Sequence, residues 1–265
     1  MIYGVLLVYY DQYHATSVAQ FQDLLNQLDP INKLVVVTNN PQLRQGNPSY
    51  ILGDDLNSEF SGYDVGLRQL GKLAAEDYVV FANDTFCHHR SWGKFEKRIF
   101  ASAFRKALAN QKQCMIGEVN TFKKNFSLMG MQAYEWVSTY MFCISSEFID
   151  ALNYKLCINP ATLSELVGLD AHENIKWSED LSDNLRLQLS QWFAGDNKHG
   201  WYNKDATMLR KCNKAKSILN EFYLSAVAKK YGYDLVDVYQ NHHLLDRLTL
   251  FWKRFMRYIK LEYGF

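Results

Sequence analysis

Three strongly apolar runs in the first 90 residues, each ending on polar side chains, constrain the fold more than any other feature of this chain. They are IYGVLLVYYD from residue 2, NKLVVVTNN from residue 32 and DYVVFANDT from residue 77. Continuous apolar runs of this length are typical of strands buried on both faces of a parallel sheet. We therefore predict a sheet that is covered by helices on both sides.

The segments between these runs have the spacing of helices. ATSVAQFQDLLNQL, from residue 15, and GYDVGLRQLGKLAA, from residue 62, repeat apolar residues at helical intervals. With a short strand in YILGDD, from residue 50, the order β-α-β-β-α-β predicts an α/β domain. After residue 90 the pattern predicts elements over longer ranges: a helix over 91–111, strands over 114–120 and 136–145, mostly helix over 147–217, then a helix that stops at Gly232 and a last strand.

Polar residues follow the predicted strands, and in open α/β sheets ligands bind beyond the carboxyl ends of the strands. The candidate ligand-binding residues there are Tyr10, Asp11, Asn39, Asn40, Asn83 and Asp84. Asp84 has the chemistry of a Mg²⁺ or Mn²⁺ ligand, and a metal there would hold a diphosphate. The alternative is that its carboxylate caps the following turn by accepting backbone N–H groups.

Two ordered sets of residues resemble the nucleotide-sugar glycosyltransferases of the family 2 type. The first set begins with NSEFSGYDVG, from residue 57, where that family has N-x-G-F-x-x-G-x-N-x-G before a helix. It continues with Asn83-Asp84-Thr85 at the end of a strand, where that family has a D-x-D-like motif. The other is NEFYLSAVAKKYGYDL, in which Glu221 falls on the family's general base and Asn220 on the acidic residue before it. The GYD-x-G variant and STYMFCIS look closer to the rhamnan-synthesis branch, which works on bacterial surface polysaccharides.

The resemblance implies a GT-A type, Rossmann-like fold with a mixed central sheet over residues 1–240. Residues 1–90 would form its nucleotide-binding half and residues 91–240 its acceptor-binding half. It implies an inverting transferase that moves a sugar from a nucleotide-diphosphate donor to a hydroxyl of a lipid-linked or oligosaccharide acceptor. Glu221 would be the catalytic base, and Asp84 would hold a divalent cation, Mn²⁺ or Mg²⁺.

This chain departs from the family pattern at two positions. VVVTNN stands where the family has a carboxylate that binds the base of the nucleotide, so Asn39 or Asn40 would have to replace it. Asn220 replaces the acidic residue before the base. These departures motivate an alternative: a catalytically inactive nucleotide-sugar-binding or scaffolding module of the same fold.

Further polar residues are open to two interpretations each. Asp64 lies in SGYDVG and either contacts the donor or caps a helix over 65–75. Glu118 ends a predicted strand and either faces the acceptor or is structural. His88 and His89 follow Asp84 closely and either contact metal or phosphate or are structural.

The C-terminal region 241–265 predicts a basic amphipathic helix, over 244–262. Such a helix with Trp and Phe suits the surface of an anionic bilayer, although it could equally pack on the domain. The 29 basic and 28 acidic residues leave a net charge of +1, which argues against a nucleic-acid partner. The five cysteines are scattered and form no C-x-x-C pair, which indicates a reducing compartment. The sequence also contains no apolar stretch of membrane-spanning length. We therefore predict a cytoplasmic protein, with the inner face of the membrane as a peripheral location.

Overall fold

In a computed structural model of the protein, residues 1–90, 92–110, 113–194 and 206–240 are described, together with the single positions 246, 249 and 252. The strands are β1 (Ile2–Val8), β2 (Asn32–Thr38), β3 (Ile51–Leu52), β4 (Tyr78–Asn83), β5 (Cys114–Leu128), β6 (Met131–Ser145), β7 (Val167–Leu169), β8 (Ile175–Trp177) and β9 (Asp234–Asp237). The helices are α1 (His14–Leu28), α2 (Pro41–Gly46), α3 (Glu59–Leu70), α4 (Lys94–Ala109), α5 (Ser146–Ala151), α6 (Pro160–Leu166), α7 (Asp183–Ala194) and α8 (Met208–Lys230), with a 3₁₀ turn at Asp84–Cys87.

Seven strands form one mixed sheet in the order β3-β2-β1-β4-β6-β5-β9. β3, β2, β1 and β4 run parallel to one another, β6 runs antiparallel to both β4 and β5, and β9 is parallel to β5. β7 and β8 form a separate antiparallel pair. The α/β class and the mixed central sheet expected for this chain are confirmed.

Helices cover both faces of the large sheet, which explains why its strands read as continuous apolar runs. Leu6 and Val80 are buried in the core cluster that also contains the apolar faces of α1 and α4. Their neighbours in sequence, Val5 and Phe81, are buried in the other cluster, with α3 and α8. Alternate side chains of one strand point to opposite faces, so both faces had to be apolar.

Two glycines one helical turn apart let α3 lie close to β1. A Cβ atom at Gly62 would lie 2.6 Å from Leu7 Cδ1, and one at Gly66 would lie 2.4 Å from Val5 Cγ1. α3 also begins earlier than the sequence pattern predicts, at Glu59, and it ends at Leu70. The spacing of the glycines therefore belongs to helix packing and not to a loop at the ligand.

β5 and β6 form a hairpin that is much longer than predicted, with 15 residues in each strand. Met129 and Gly130 form its two-residue turn, with φ angles of 52° and 73°. Two positive φ values in succession are the mark of a type I′ turn, which usually has Asn-Gly or Asp-Gly and so was not recognisable here. Pairing of β4 with β6 stops at Ala82 and Met141, and the hairpin continues beyond that edge.

Two other stretches differ from the sequence prediction. The segment PQLRQGNPS, predicted to be a loop, contains α2, which Asn40 caps. The range 147–217, predicted to be mostly helical, also contains β7 and β8.

The predicted C-terminal helix over 244–262 lies outside the described residues except at positions 246, 249 and 252. Asp246 is buried, and its carboxylate lies 2.6 Å from the guanidinium of Arg98 on α4. Trp252 is 60% exposed. None of the helices in the described part of the chain is both long and apolar enough to cross a membrane.

Candidate functional site

The carboxyl ends of three parallel strands lie side by side. The register pairs Leu7 with Asn83 and Val8 with Thr38, so β1, β2 and β4 end at nearly the same level. The residues that follow therefore share one edge of the sheet. They are Tyr9, Tyr10 and Asp11 after β1, Asn39 and Asn40 after β2, and Asp84 after β4.

Asp84 is buried, with 2% of its surface exposed, and it ties β4 to the loop after β1. Its Oδ2 accepts hydrogen bonds from the backbone N–H groups of Tyr9 at 2.7 Å and Tyr10 at 2.9 Å. Burial raises the pKa of the carboxyl, and these two bonds and the nearby His88 oppose that rise. Asp84 thus caps the turn after β1, while Asn83 caps the 3₁₀ turn that follows β4 by accepting from the N–H of Thr85.

The two asparagines after β2 have different surroundings. Asn40 is a helix cap: its Oδ1 accepts from the N–H of Gln42, and its Nδ2 donates to the carbonyl of Tyr9 at 3.0 Å. Asn39 donates through Nδ2 to Asp55 at 3.0 Å and to the carbonyl of Ser58. Its Oδ1 is buried and has no hydrogen-bond partner among the described residues.

Tyr10 and Asp11 are both accessible at this edge. Tyr9 and Tyr10 are 47% and 37% exposed, and their rings meet edge to face with centroids 5.3 Å apart. The Asp11 side chain is 91% exposed, 4.0 Å from His14. An aromatic surface therefore lies next to the Asp84 carboxylate, whereas Asp11 is solvated.

Tyr63 of α3 is influenced by the charges of both Asp84, at the end of β4, and Glu221 of α8. The Tyr63 ring is fully buried, and its hydroxyl donates to the backbone carbonyl of Thr139 at 2.9 Å. Burial raises its pKa well above the usual value, and the negative charges of Glu59, Asp84 and Glu221 add to that rise. Tyr63 is thus close enough to all three carboxylates to experience their charge.

Glu221 is held against β6 by one residue. Its Oε2 accepts from both the N–H and the hydroxyl of Thr139, each at 2.8 Å. Burial raises the pKa of Glu221, and the two bonds from Thr139 and the charge of Lys214 oppose the rise. The pairing of β4 with β6 ends at Ala82 and Met141, two residues before Thr139 on β6 and two residues before Asp84 on the β4 side.

Asp64 and Asn220 have structural partners that the sequence does not reveal. The Asp64 carboxylate accepts from the N–H of Leu156 at 2.7 Å and from the thiol of Cys157 at 2.9 Å. It lies within α3, so the predicted helix cap is wrong, and the predicted donor contact stays a prediction. Asn220 is fully buried and accepts from the N–H of Ile158 at 2.7 Å.

Arg90 is a candidate residue that sequence reasoning missed. Its Nη1 lies 2.5 Å from the Glu118 carboxylate, and its guanidinium stacks 3.8 Å above the ring of Tyr140. Tyr140 also donates to Glu118, at 2.9 Å. Glu118 therefore holds an arginine, and the pairing of β5 with β6 brings Glu118 close to Tyr140.

The two histidines after Asp84 pack on the tyrosines of the β1–α1 loop. The His88 ring stacks on Tyr13 with centroids 4.0 Å apart, and His89 stacks at 6.3 Å from Tyr10. The Nε2 of His88 is buried and, within the described ranges, has no hydrogen-bond partner. Buried polar atoms without a partner are uncommon, and a ligand is one way to satisfy them.

The donor set at this edge does not fit a metal held by the protein alone. In the described part of the chain, no group of three His, Cys, Asp or Glu side chains is placed to hold an ion. Asp84 offers one carboxylate, and one of its oxygens already accepts two N–H bonds. The metal expected on Asp84 stays a prediction from the sequence.

A comparison of the chain with protein-family models finds no matching family, and a comparison with curated proteins finds no match either.

Proposed function

We propose that the protein is an inverting glycosyltransferase of the GT-A type. It would move a sugar from a nucleotide-diphosphate donor to a hydroxyl of a lipid-linked or oligosaccharide acceptor in bacterial surface polysaccharide synthesis. One observation supports the proposal: Tyr63 and Glu221 share Thr139 as a hydrogen-bond partner, and the charge of Asp84, at the end of β4, adds to the rise in the pKa of the buried Tyr63. Asp84 and Glu221 are the two positions that the sequence resemblance assigns to diphosphate binding and proton removal.

The nucleoside of the donor would bind over the ends of β1 and β2. The exposed rings of Tyr9 and Tyr10 offer a face on which a base can stack, a contact worth about 1–3 kcal/mol in proteins that bind nucleic acid bases. The Oδ1 of Asn39 is buried without a partner among the described residues, so Asn39 would have to turn before this oxygen could accept from a base N–H group. An amide in place of the family's carboxylate would make that bond weaker, because charge-assisted bonds are about twice as strong.

The diphosphate would be neutralised by side chains of this chain. Arg90 is held on one side by Glu118 and on its face by Tyr140, which fixes the direction of its remaining N–H donors. A planar guanidinium binds phosphate oxygens in pairs.

Glu221 would take the proton of the acceptor hydroxyl. As the acceptor oxygen bonds to the anomeric carbon from one face, the bond to the diphosphate oxygen breaks on the opposite face, and the diphosphate leaves with the electron pair. Inversion follows from this geometry, as for a base acting from the opposite face in glycoside hydrolysis. The raised pKa makes Glu221 a stronger base than a solvated glutamate. Both bonds from Thr139 go to Oε2, so Oε1 would take the proton.

The proposal is tested by release of nucleoside diphosphate from a panel of nucleotide sugars, with bacterial glycan acceptors present. We expect Glu221→Gln to reduce release by about 10²–10⁴-fold, the usual contribution of a general base, while nucleoside-diphosphate binding is kept. Glu165→Gln, on an exposed position of α6, is the matched control and should release at the wild-type rate. Wild-type turnover by Glu221→Gln would refute the assignment of the base.

A second candidate is a nucleotide-sugar-binding module without catalysis. The observation that favours it is that Asp84 and Glu221 each already accept two bonds within the protein. Such a module would bind nucleoside diphosphates, which thermal shift or calorimetry measures. It would not produce nucleoside diphosphate from any nucleotide sugar, whichever acceptor is present.

A further inference from the structure

A cavity of about 420 Å³ lies on the side of α8 that faces away from Glu221. It is lined by the second half of α8, the β5–β6 turn and the segment 151–162, it is open to solvent, and it is called the Lys230 pocket. Tyr223 lines it, and Tyr223 is two residues after Glu221, which places the two side chains on opposite sides of the helix. The cavity is within the size range of small-molecule sites.

The lining of the Lys230 pocket is cationic. Lys155 and Lys230 both line it and are exposed, and none of the described lining residues is acidic. In the described ranges neither lysine forms an ion pair, whereas the neighbouring Lys229 is paired with Glu135 at 3.3 Å. Two unpaired ammonium groups at one cavity favour an anion between them.

The rest of the lining suits a hydroxylated molecule. Asn153 and Thr162 offer amide and hydroxyl groups, and Tyr223 and Tyr231 offer ring faces. The lining side chains mix hydrogen-bonding groups with apolar surface, as in sites that bind polar ligands of sugar size. A purely apolar ligand would strip water from these polar groups without replacing their hydrogen bonds.

One wall of the Lys230 pocket is pre-formed by buried hydrogen bonds. The peptide groups of Ile158 are fixed on both sides: the N–H donates to Asn220 at 2.7 Å, and the carbonyl accepts from Asn57 at 3.1 Å. Cys157, the preceding residue, donates to Asp64. A rigid wall lowers the entropy that binding would otherwise cost.

We propose that the Lys230 pocket is a second ligand site, which binds a small anionic, hydroxyl-bearing molecule of sugar-phosphate size. Lys155 and Lys230 bind the anionic group, and the tyrosine rings with Asn153 and Thr162 hold the body of the ligand. The site is separate from the strand edge where the donor is proposed to bind, and it does not depend on that proposal.

The test uses ¹³C-labelled methionine methyl groups as probes, because Met129 and Met131 both line the Lys230 pocket. The full chain is titrated with glucose 6-phosphate and, separately, with inorganic phosphate and with glucose. We expect saturable shifts of both methyl signals with glucose 6-phosphate, at an affinity at least tenfold above that for either fragment. Signals are assigned with Met129→Leu and Met131→Leu.

The matched variants separate this site from general surface binding. Lys155→Met with Lys230→Met should weaken glucose 6-phosphate binding at least tenfold, the loss expected when charge-assisted bonds are removed. Lys229→Met, next in sequence but paired with Glu135, should bind as the wild type does. The proposal is overturned by non-saturable shifts, by equal binding of inorganic phosphate, or by an unchanged affinity in the double variant.

Discussion

The bond from Asp84 to the loop after β1 predicts a measurable loss of stability on substitution. In Asp84→Ala the N–H groups of Tyr9 and Tyr10 lose their acceptor, and each bond to a charged acceptor contributes about 1.5 kcal/mol or more. The gross loss is therefore about 3 kcal/mol. Burial raises the pKa of this carboxyl, so holding it ionised costs part of that sum, and we expect a net loss of about 2 kcal/mol.

Asp84→Asn should be much milder than Asp84→Ala. The amide oxygen accepts the same two N–H groups, and neutral bonds are about half as strong as charge-assisted ones. The variant also no longer buries a charge, so we expect a net loss of no more than about 1 kcal/mol. Asp11→Ala, at an exposed side chain on the same loop, is the matched control and should change stability by less than about 0.5 kcal/mol.

Thermal melts followed by circular dichroism at pH 7 measure the difference. For a chain of this length 1 kcal/mol lowers Tm by about 2–4 °C, so Asp84→Ala should melt about 4–8 °C below the wild type. Asp84→Asn should melt within about 4 °C of the wild type. An Asp84→Ala protein with the same Tm as Asp11→Ala would show that the two bonds contribute nothing, and the reasoning would fail.

Three further predictions concern the packing and titration of the site. Glu221→Gln should be at least as stable as the wild type at pH 7. Because the pKa of Glu221 is raised in the folded protein, the wild type should gain stability relative to the variant as the pH falls through that pKa toward 4.5. Urea unfolding at several pH values measures this difference. Gly66→Ala should lose about 1–3 kcal/mol in the same assay, since its Cβ meets β1, whereas Gly46→Ala, with open space around its Cβ, should not destabilise. Tyr63→Phe leaves a buried β6 carbonyl without its donor and should lose about 1–3 kcal/mol, seen as a lower urea midpoint.

The strands and the shared edge were predictable because they depend on local patterns. Apolar runs that end on polar residues identify β1, β2 and β4, and parallel pairing then brings their ends together. Asp84 was therefore placed correctly at the edge from its position alone. Its hydrogen-bond partners were not predictable, because Tyr9 and Tyr10 reach it only once β1 lies beside β4.

The long β5–β6 hairpin, and the side-chain contacts that depend on it, could not be predicted from the sequence. The turn at Met129 and Gly130 lacks the usual residues of its type, and the strands change register between Thr121 and Phe126, which breaks the alternation that identifies a strand. Without the hairpin register, Tyr140 could not be placed beside Glu118. The partners of Asp64 could not be predicted for a related reason: they come from a segment more than 90 residues away.

β6 has a geometric consequence for the arrangement around it. Thr139 faces α8 and holds Glu221, while the next residue, Tyr140, faces the opposite side and carries Arg90 with Glu118. β6 thus separates Glu221 on one face of the sheet from Arg90 and Glu118 on the other, and Thr139 and Tyr140 are adjacent residues of that strand. Replacements within β6 can be absorbed locally, but the gain or loss of a single residue there would exchange both faces at once.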